Sequence, residues 1–241
     1  MDAQHTSRPD GRRPDELRPI RFILDYVEYP EGSVLVEWGR TRVLCNVTFQ
    51  EGVPRWLAGS GHGWLTAEYA LLPRSTHTRT PRENGTVGGR TQEIRRFIGR
   101  SLRAALDLSR LGEYTLIVDC DVLQADGGTR TAAVTGSYVA LVRALQRLAA
   151  AERVPPDLIR YPVAAVSVGV VGGEVRLDLC YEEDSQAEVD LNVVMTGEGR
   201  YVEVQGTAER TPFSPALLEE MLALARKGIA KIIAAQEEVL R

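Results

Sequence analysis

Residues 114–131 change hydrophobic period within a few positions, and this constrains the fold more than any other stretch. Tyr114, Leu116, Val118, Cys120 and Val122 alternate with polar or smaller residues at period two, which is a strand with one buried face. The run ends at Gln124-Ala125-Asp126. After Gly127-Gly128 the apolar positions Val134, Tyr138, Leu141, Leu145 and Leu148 recur at helical spacing, until Pro155-Pro156 close the segment. A strand that passes through two glycines directly into a long helix requires mixed α/β packing.

The flanking segments agree. Val43, Cys45, Val47 and Phe49 alternate in a second strand, with residues 33–38 as its hairpin partner and Gly39-Arg40 at the turn. A short strand is expected near 64–72. Ile94, Phe97, Ile98, Leu102, Ala105 and Leu106 share a helix face, while Arg96, Arg100 and Arg103 form a charged stripe on another. Further strands are expected at 163–171, 175–180, 187–195 and 201–205, and Ser214-Pro215 opens a long terminal helix as N-cap and first residue. Residues 1–17, with Pro9 and Pro14, read as a polar arm outside the core, and 18–241 as one α/β domain. No internal repeat interrupts it.

Composition narrows the class of function. With 44% hydrophobic and 26% charged residues the chain is neither disordered nor collagen-like. No apolar run approaches the ~18–20 residues of a membrane helix. The first residues carry no hydrophobic signal core, so a cytoplasmic location is expected. Cys45, Cys120 and Cys180 lie in apolar runs and read as buried, reduced thiols. Net charge is −4, yet between Arg74 and Arg103 eight arginines face two acids, Glu83 and Glu93. That local excess suits a polyanionic partner.

Three clusters could carry chemistry. Gly127-Gly128-Thr129-Arg130 lies where a strand ends and a helix begins, so free N–H groups, a hydroxyl and a guanidinium could cradle an oxyanion; a plain tight turn with a solvated arginine fits the same residues. Gly88-Gly89-Arg90-Thr91 repeats the arrangement at another helix start, and two such sites suggest paired clamps for phosphate groups. Neither is a P-loop, because the Gly-Lys-Ser/Thr ending is absent. On the strand near 187–195, Asp190 sits among apolar residues and needs a partner cation or metal. Asp184 is six residues earlier, roughly 20 Å away if the chain were extended at ~3.3 Å per residue. The two carboxylates can share a Mg²⁺ only if residues 185–188 fold back; otherwise they form a solvated strand edge. His5, His62 and His77 lack metal-ligand spacing. Ser75 and Ser101 lack a base, and Asp119 and Asp121 suit cross-strand pairing better than catalysis. A covalent nucleophile is not expected.

In order along the chain, GSVLVE (32–37), GWLTAEY (63–69), LPRSTHTR (72–79), GGRT (88–91), DVLQADGGTRT (121–131), AAVSVG (164–169), EDS (183–185), NVVMT (192–196) and EVQGTAE (203–209) resemble the ribonuclease PH family, and the match runs nearly without gaps from about Arg18 to Ala235. The resemblance implies an α/β (α+β) fold like that of ribosomal protein S5 domain 2, assembled as a homohexamer, a trimer of dimers. It implies phosphorolytic trimming of tRNA precursors, and of ribosomal RNA, from the 3′ end, with inorganic phosphate as co-substrate. By position, Arg90, Gly128, Thr129 and Arg130 would bind the phosphate, and Asp184 and Asp190 would hold Mg²⁺, Asp184 also serving as general acid. Arg74, Arg79 and Arg82 would guide RNA. The alternatives are a non-catalytic RNA-binding ring subunit, which should lack the clamp or the acidic pair, and a hydrolytic two-metal nuclease, which would want a denser carboxylate cluster.

Overall fold

In the computed structural model, which describes residues 8–83 and 85–241, two sheets pack around one hydrophobic core. The first sheet is built from β1 (Ile20–Leu24), β2 (Gly32–Trp38), β3 (Thr41–Glu51), β4 (Trp64–Leu71) and β5 (Tyr114–Gln124), in the order β1-β2-β3-β5-β4. All neighbours are antiparallel except β4 and β5. Parallel neighbours require a crossover, and α1 (Gly89–Ala104) supplies it while packing on β4. The second sheet, β7-β6-β8-β9, consists of β6 (Val163–Val171), β7 (Glu174–Leu177), β8 (Val189–Thr196) and β9 (Tyr201–Ala208), antiparallel throughout.

Helix α2 (Thr129–Ala150) joins the two halves. It contacts β2 and β3 of the first sheet, β6 of the second, and the terminal helix α4. Every side chain from Thr131 to Leu141 is buried, so the helix has no solvent face in this stretch. Its buried polar groups are satisfied locally: the Thr135 hydroxyl accepts from Ala165 N–H at 3.2 Å, and Gln236 of α4 (Pro215–Leu240) donates to Thr135 and Val163 carbonyls at 3.0 and 3.2 Å. Ser214 caps α4 as expected, accepting from Leu217 N–H. Cys45, Cys120 and Cys180 are all free and buried.

Three local expectations change. The strand expected over 175–180 ends at Leu177, because Asp178 adopts φ +56° and turns the chain. The strand expected to begin at 187 begins at Val189, after a short helix α3 (Tyr181–Asp184) that periodicity could not reveal in four residues. The arm is also not detached from the body in its described part. Residues 8–17 hold no helix or strand, but Arg8 is 3% exposed and inserts its guanidinium into a buried carboxylate site on the second half of the chain. The reason is electrostatic: Glu183 and Asp178 are buried acids, and Arg8 and Arg12 of this segment are counter-ions to them. His5 and the rest of 1–7 lie outside the described residues.

Packing of α2 on the first sheet is close enough to test. A Cβ on Gly32 would lie 2.0 Å from the Ala140 carbonyl oxygen. Gly32→Ala should therefore lower stability by about 1–3 kcal/mol, read as a fall in the urea midpoint. An unchanged midpoint would contradict this seating of the helix.

Candidate active site

The loops at the start of α1 and α2, the end of β4 and the α3–β8 connection surround one cavity of about 840 Å³. Arg90, Gly128, Thr129, Arg130, Asp184 and Asp190 all line it. Arg74, Arg79 and Arg82 do not; they sit exposed on the loop between β4 and α1, whose residues Thr76, His77, Thr78 and Thr80 do face the cavity.

Both helix starts lack a side-chain cap. Gly88 is the N-cap of α1 and Gly128 that of α2, so neither offers a hydroxyl or carboxylate to the first N–H groups. An uncapped N-terminus beside a cavity is an anion site in waiting. Glycine is required at 127 and 128: φ is +77° and +66°, and a Cβ on Gly127 would strike the Leu179 carbonyl oxygen at 2.6 Å. The α2 start thus abuts the 179–181 backbone.

Tyr69 was not singled out by sequence reasoning as a site residue. Strand alternation nevertheless places Leu65, Ala67 and Tyr69 on the inward face of β4, and the Tyr69 hydroxyl donates to Thr129 Oγ1 at 2.9 Å. Burial pushes the Tyr69 phenol up, so it stays protonated, and the Thr129 hydroxyl keeps its own proton to donate elsewhere. Arg130 is held by Glu93 at 3.2 Å and by Gln205 Oε1 at 3.0 Å, which fixes a half-buried guanidinium at the cavity wall.

The fold-back needed by the carboxylate pair is present. Ser185, Gln186 and Ala187 N–H groups donate to the carbonyls of Tyr181, Glu183 and Asp184, so the chain winds through a helical turn before entering β8. Asp184 and Asp190 consequently share the cavity. Burial raises Asp184, with Arg90 and Arg130 pulling it back. Burial, followed by the charge of Asp184, pushes Asp190 up to about 6. Asn192 donates to Asp190 Oδ2 at 3.2 Å, but the buried Oδ1 has no partner. Two carboxylates on one cavity, one with an orphan oxygen, form a place for a proton or a hard cation.

Similarity to known proteins identifies the family. The family model described as "3′ exoribonuclease family, domain 1" matches residues 16–145, and that for domain 2 matches residues 161–228. The chain belongs to the 3′ exoribonuclease family. Within it, proteins named ribonuclease PH are its relatives: that of Saccharopolyspora erythraea is 58% identical over 237 residues, covering 97% of this chain and 94% of the relative. That of Rhodococcus erythropolis is 58% identical over 238 residues, covering 98% and 91%. Rice (Oryza sativa) Rrp46 superposes with a TM-score of 0.80 at 20% identity, over 97% of this chain and 99% of the other, which shows the fold. A chain of the Archaeoglobus fulgidus exosome with RNA bound to the active site gives 0.78 at 25% identity, over 94% and 91%.

The raised pKa of Asp190 has a consequence for stability. An acid whose pKa rises from 3.8 to about 6 on folding binds its proton more tightly in the native state, so stability falls as pH climbs from about 4 to 6 and the full cost persists above that. In chelator at pH 7.5, Asp190→Asn should be more stable than the parent, by on the order of 1–3 kcal/mol. The gap should close toward pH 4. Equal melting temperatures at both pH values would refute the burial penalty.

Proposed function

We propose that the chain is a phosphorolytic 3′→5′ exoribonuclease that trims tRNA precursors, and ribosomal RNA, to release nucleoside 5′-diphosphates, and that runs in reverse as a nucleotidyltransferase. The observation that carries this reading is the convergence, on one cavity, of two glycine-started helix termini, each with an arginine, and one carboxylate pair. Two anions must meet for a phosphate oxygen to attack a phosphodiester, and an active site built for that needs two anion holders and no side-chain nucleophile.

Arg90 and Arg130, with the Gly128–Thr129 backbone and the Thr129 hydroxyl, hold inorganic phosphate in line with the last diester. The bond from phosphorus to the penultimate ribose 3′ oxygen breaks as the new phosphorus–oxygen bond forms. Asp184, its pKa raised by burial, is the group placed to pass a proton to this leaving oxygen. Asp190 and Asp184 would hold Mg²⁺, whose chemistry when bound is to neutralise charge on the reacting oxygens. The donor set fits: Mg²⁺ takes one or two carboxylates and completes its shell with water and phosphate, and among the described residues no third acidic or imidazole ligand joins the pair.

Exposed Arg74, Arg79 and Arg82 stand outside the cavity on the loop that borders it, with no ion pair among the described residues. They suit backbone contact with RNA upstream of the cleaved end. A homohexameric ring, a trimer of dimers, fits the likeness to exosome chains, and a cytoplasmic location fits a chain in which no described helix is long and apolar enough to cross a membrane. A non-catalytic ring subunit is disfavoured because clamp and acidic pair are both intact.

Incubating the protein with a single-stranded RNA tail and Mg²⁺, with and without inorganic phosphate, tests the reaction. Diphosphates released only with phosphate are expected; monophosphates without it would mean hydrolysis, and no release in either arm would mean an inactive subunit. Arg130→Ala and Arg90→Ala should each lower phosphate-dependent turnover about 10²–10³-fold while RNA affinity changes little. Neutralising Arg74, Arg79 and Arg82 together should instead flatten the salt dependence of RNA binding by about 2–3 units of slope.

A further inference from the structure

The arginines of residues 8–18 serve no part of the reaction just described, yet they touch both halves of its site from behind. Arg18 is buried. Its Nη2 and Nε donate to the Asp178 carboxylate, the former at 2.6 Å, and its Nη1 donates to the Asp126 carbonyl at 2.6 Å. Weaker contacts at 3.4 and 3.5 Å reach the Gly127 carbonyl. One guanidinium therefore ties the loop that starts α2 to the turn that leads into α3. Asp178 is further held by Trp38 Nε1 at 2.9 Å and by Arg18 N–H at 2.7 Å.

Arg8 acts one step along the chain. Its Nε and Nη2 bind both oxygens of Glu183, each at 2.8 Å, and its remaining N–H groups are taken by the carbonyls of Asp178, Arg13 and Glu16. Glu183 also accepts from Cys180 N–H at 3.1 Å, which closes the first turn of α3. Asp184 is the next residue. Arg12 adds a bond to the Asp178 carbonyl at 3.0 Å.

We infer that residues 8–18 are a positioning strap, in which Arg18 sets the phosphate-holding loop and Arg8 sets the helix that delivers Asp184, so that their mutual spacing depends on the N-terminal segment. The inference rests on the site reading above. Outside residues 8–18, Glu183 is also reached by Arg176 of β7 at 3.2 Å, but the two-pronged grip on its carboxylate comes from Arg8. Helix α3 has four residues, the Gly127–Gly128 backbone is at positive φ, and neither could hold its geometry alone. A planar five-donor fork is what bridging a carboxylate to carbonyls requires, and a lysine ammonium cannot reproduce it.

Arg18→Lys and Arg8→Lys retain charge and lose the fork. Each is assayed well below its own melting temperature, for phosphate and RNA KM, kcat, Mg²⁺ half-activation, and the affinity for inorganic phosphate alone by calorimetry. Arg18→Lys should weaken phosphate, in KM and in calorimetric affinity, about tenfold with RNA KM within about twofold. Arg8→Lys should lower kcat about tenfold and raise the Mg²⁺ half-point, with phosphate affinity changed less. If either lysine variant does not fold, the isosteric Asp178→Asn or Glu183→Gln carries the same expectation. Variants that melt lower but keep parental phosphate affinity, kcat and Mg²⁺ half-point, beside an impaired Arg130→Ala, would overturn the strap alone. An Arg130→Ala protein with parental phosphate affinity would overturn the clamp reading and the strap with it.

Discussion

The site depends on where a buried helix is forced to begin. Helix α2 has no solvent-exposed face between Thr131 and Leu141, so it is stable only where both sheets and α4 enclose it. That enclosure fixes its axis, and the axis fixes its first turn at the rim between the sheets. A helix start left at such a rim has N–H groups that must find water or an anion. Gly127 and Gly128 make the approach possible, because any side chain at 127 would collide with the backbone leading into α3. The uncapped helix start at the cavity is thus a by-product of core packing, sharpened by two residues without side chains.

The carboxylates obey the opposite logic. Asp184 and Asp190 are placed where burial disfavours their charge, and the charge of Asp184 makes Asp190 harder still to ionise. A core built only for stability would place neither there. Their setting is tolerable because Arg90 and Arg130 stand across the cavity and because the segment carrying Asp184 is braced by arginine pairs from outside. Unfavourable charge held in place by a rigid surround is a common signature of a site shaped by chemistry.

Much of this was legible in the sequence, for identifiable reasons. The strands at 163–171 and 114–124 and the helix from Thr129 showed because hydrophobic period is a strong local signal. The helix starts at Gly88 and Gly128 showed because a glycine pair precedes each helical run. What stayed hidden depends on contacts far apart in the chain. Tyr69 meets Thr129 across sixty residues, and Arg8 meets Glu183 across 175, so neither pairing leaves a local pattern. The arm looked solvated because Arg8, Arg12 and Asp10 are polar; only the fold reveals that buried acids await two of them. Helix α3 is shorter than one amphipathic period and is made by its Glu183 cap and the turn at Asp178.

Charge balance explains why the site needs all its parts under the proposed reaction. In the free protein the three arginines lining the cavity, Arg90, Arg130 and Arg210, face three acids, Asp184, Asp190 and Glu209, and Arg130 is partly spoken for by Glu93. Phosphate and the scissile diester would then add about three negative charges at pH 7 to a confined space. The two uncapped helix starts offset about half a charge each. The remainder exceeds what any one arginine could neutralise alone, and a divalent cation held by Asp184 and Asp190 would remove most of it. Under the proposed reaction the aspartates would therefore not oppose the anion clamps; they would recruit a cation that lets both anions enter together. Removing an arginine leaves the anions underheld, and removing an aspartate leaves them unneutralised, so each half of the site is useful only in the presence of the other.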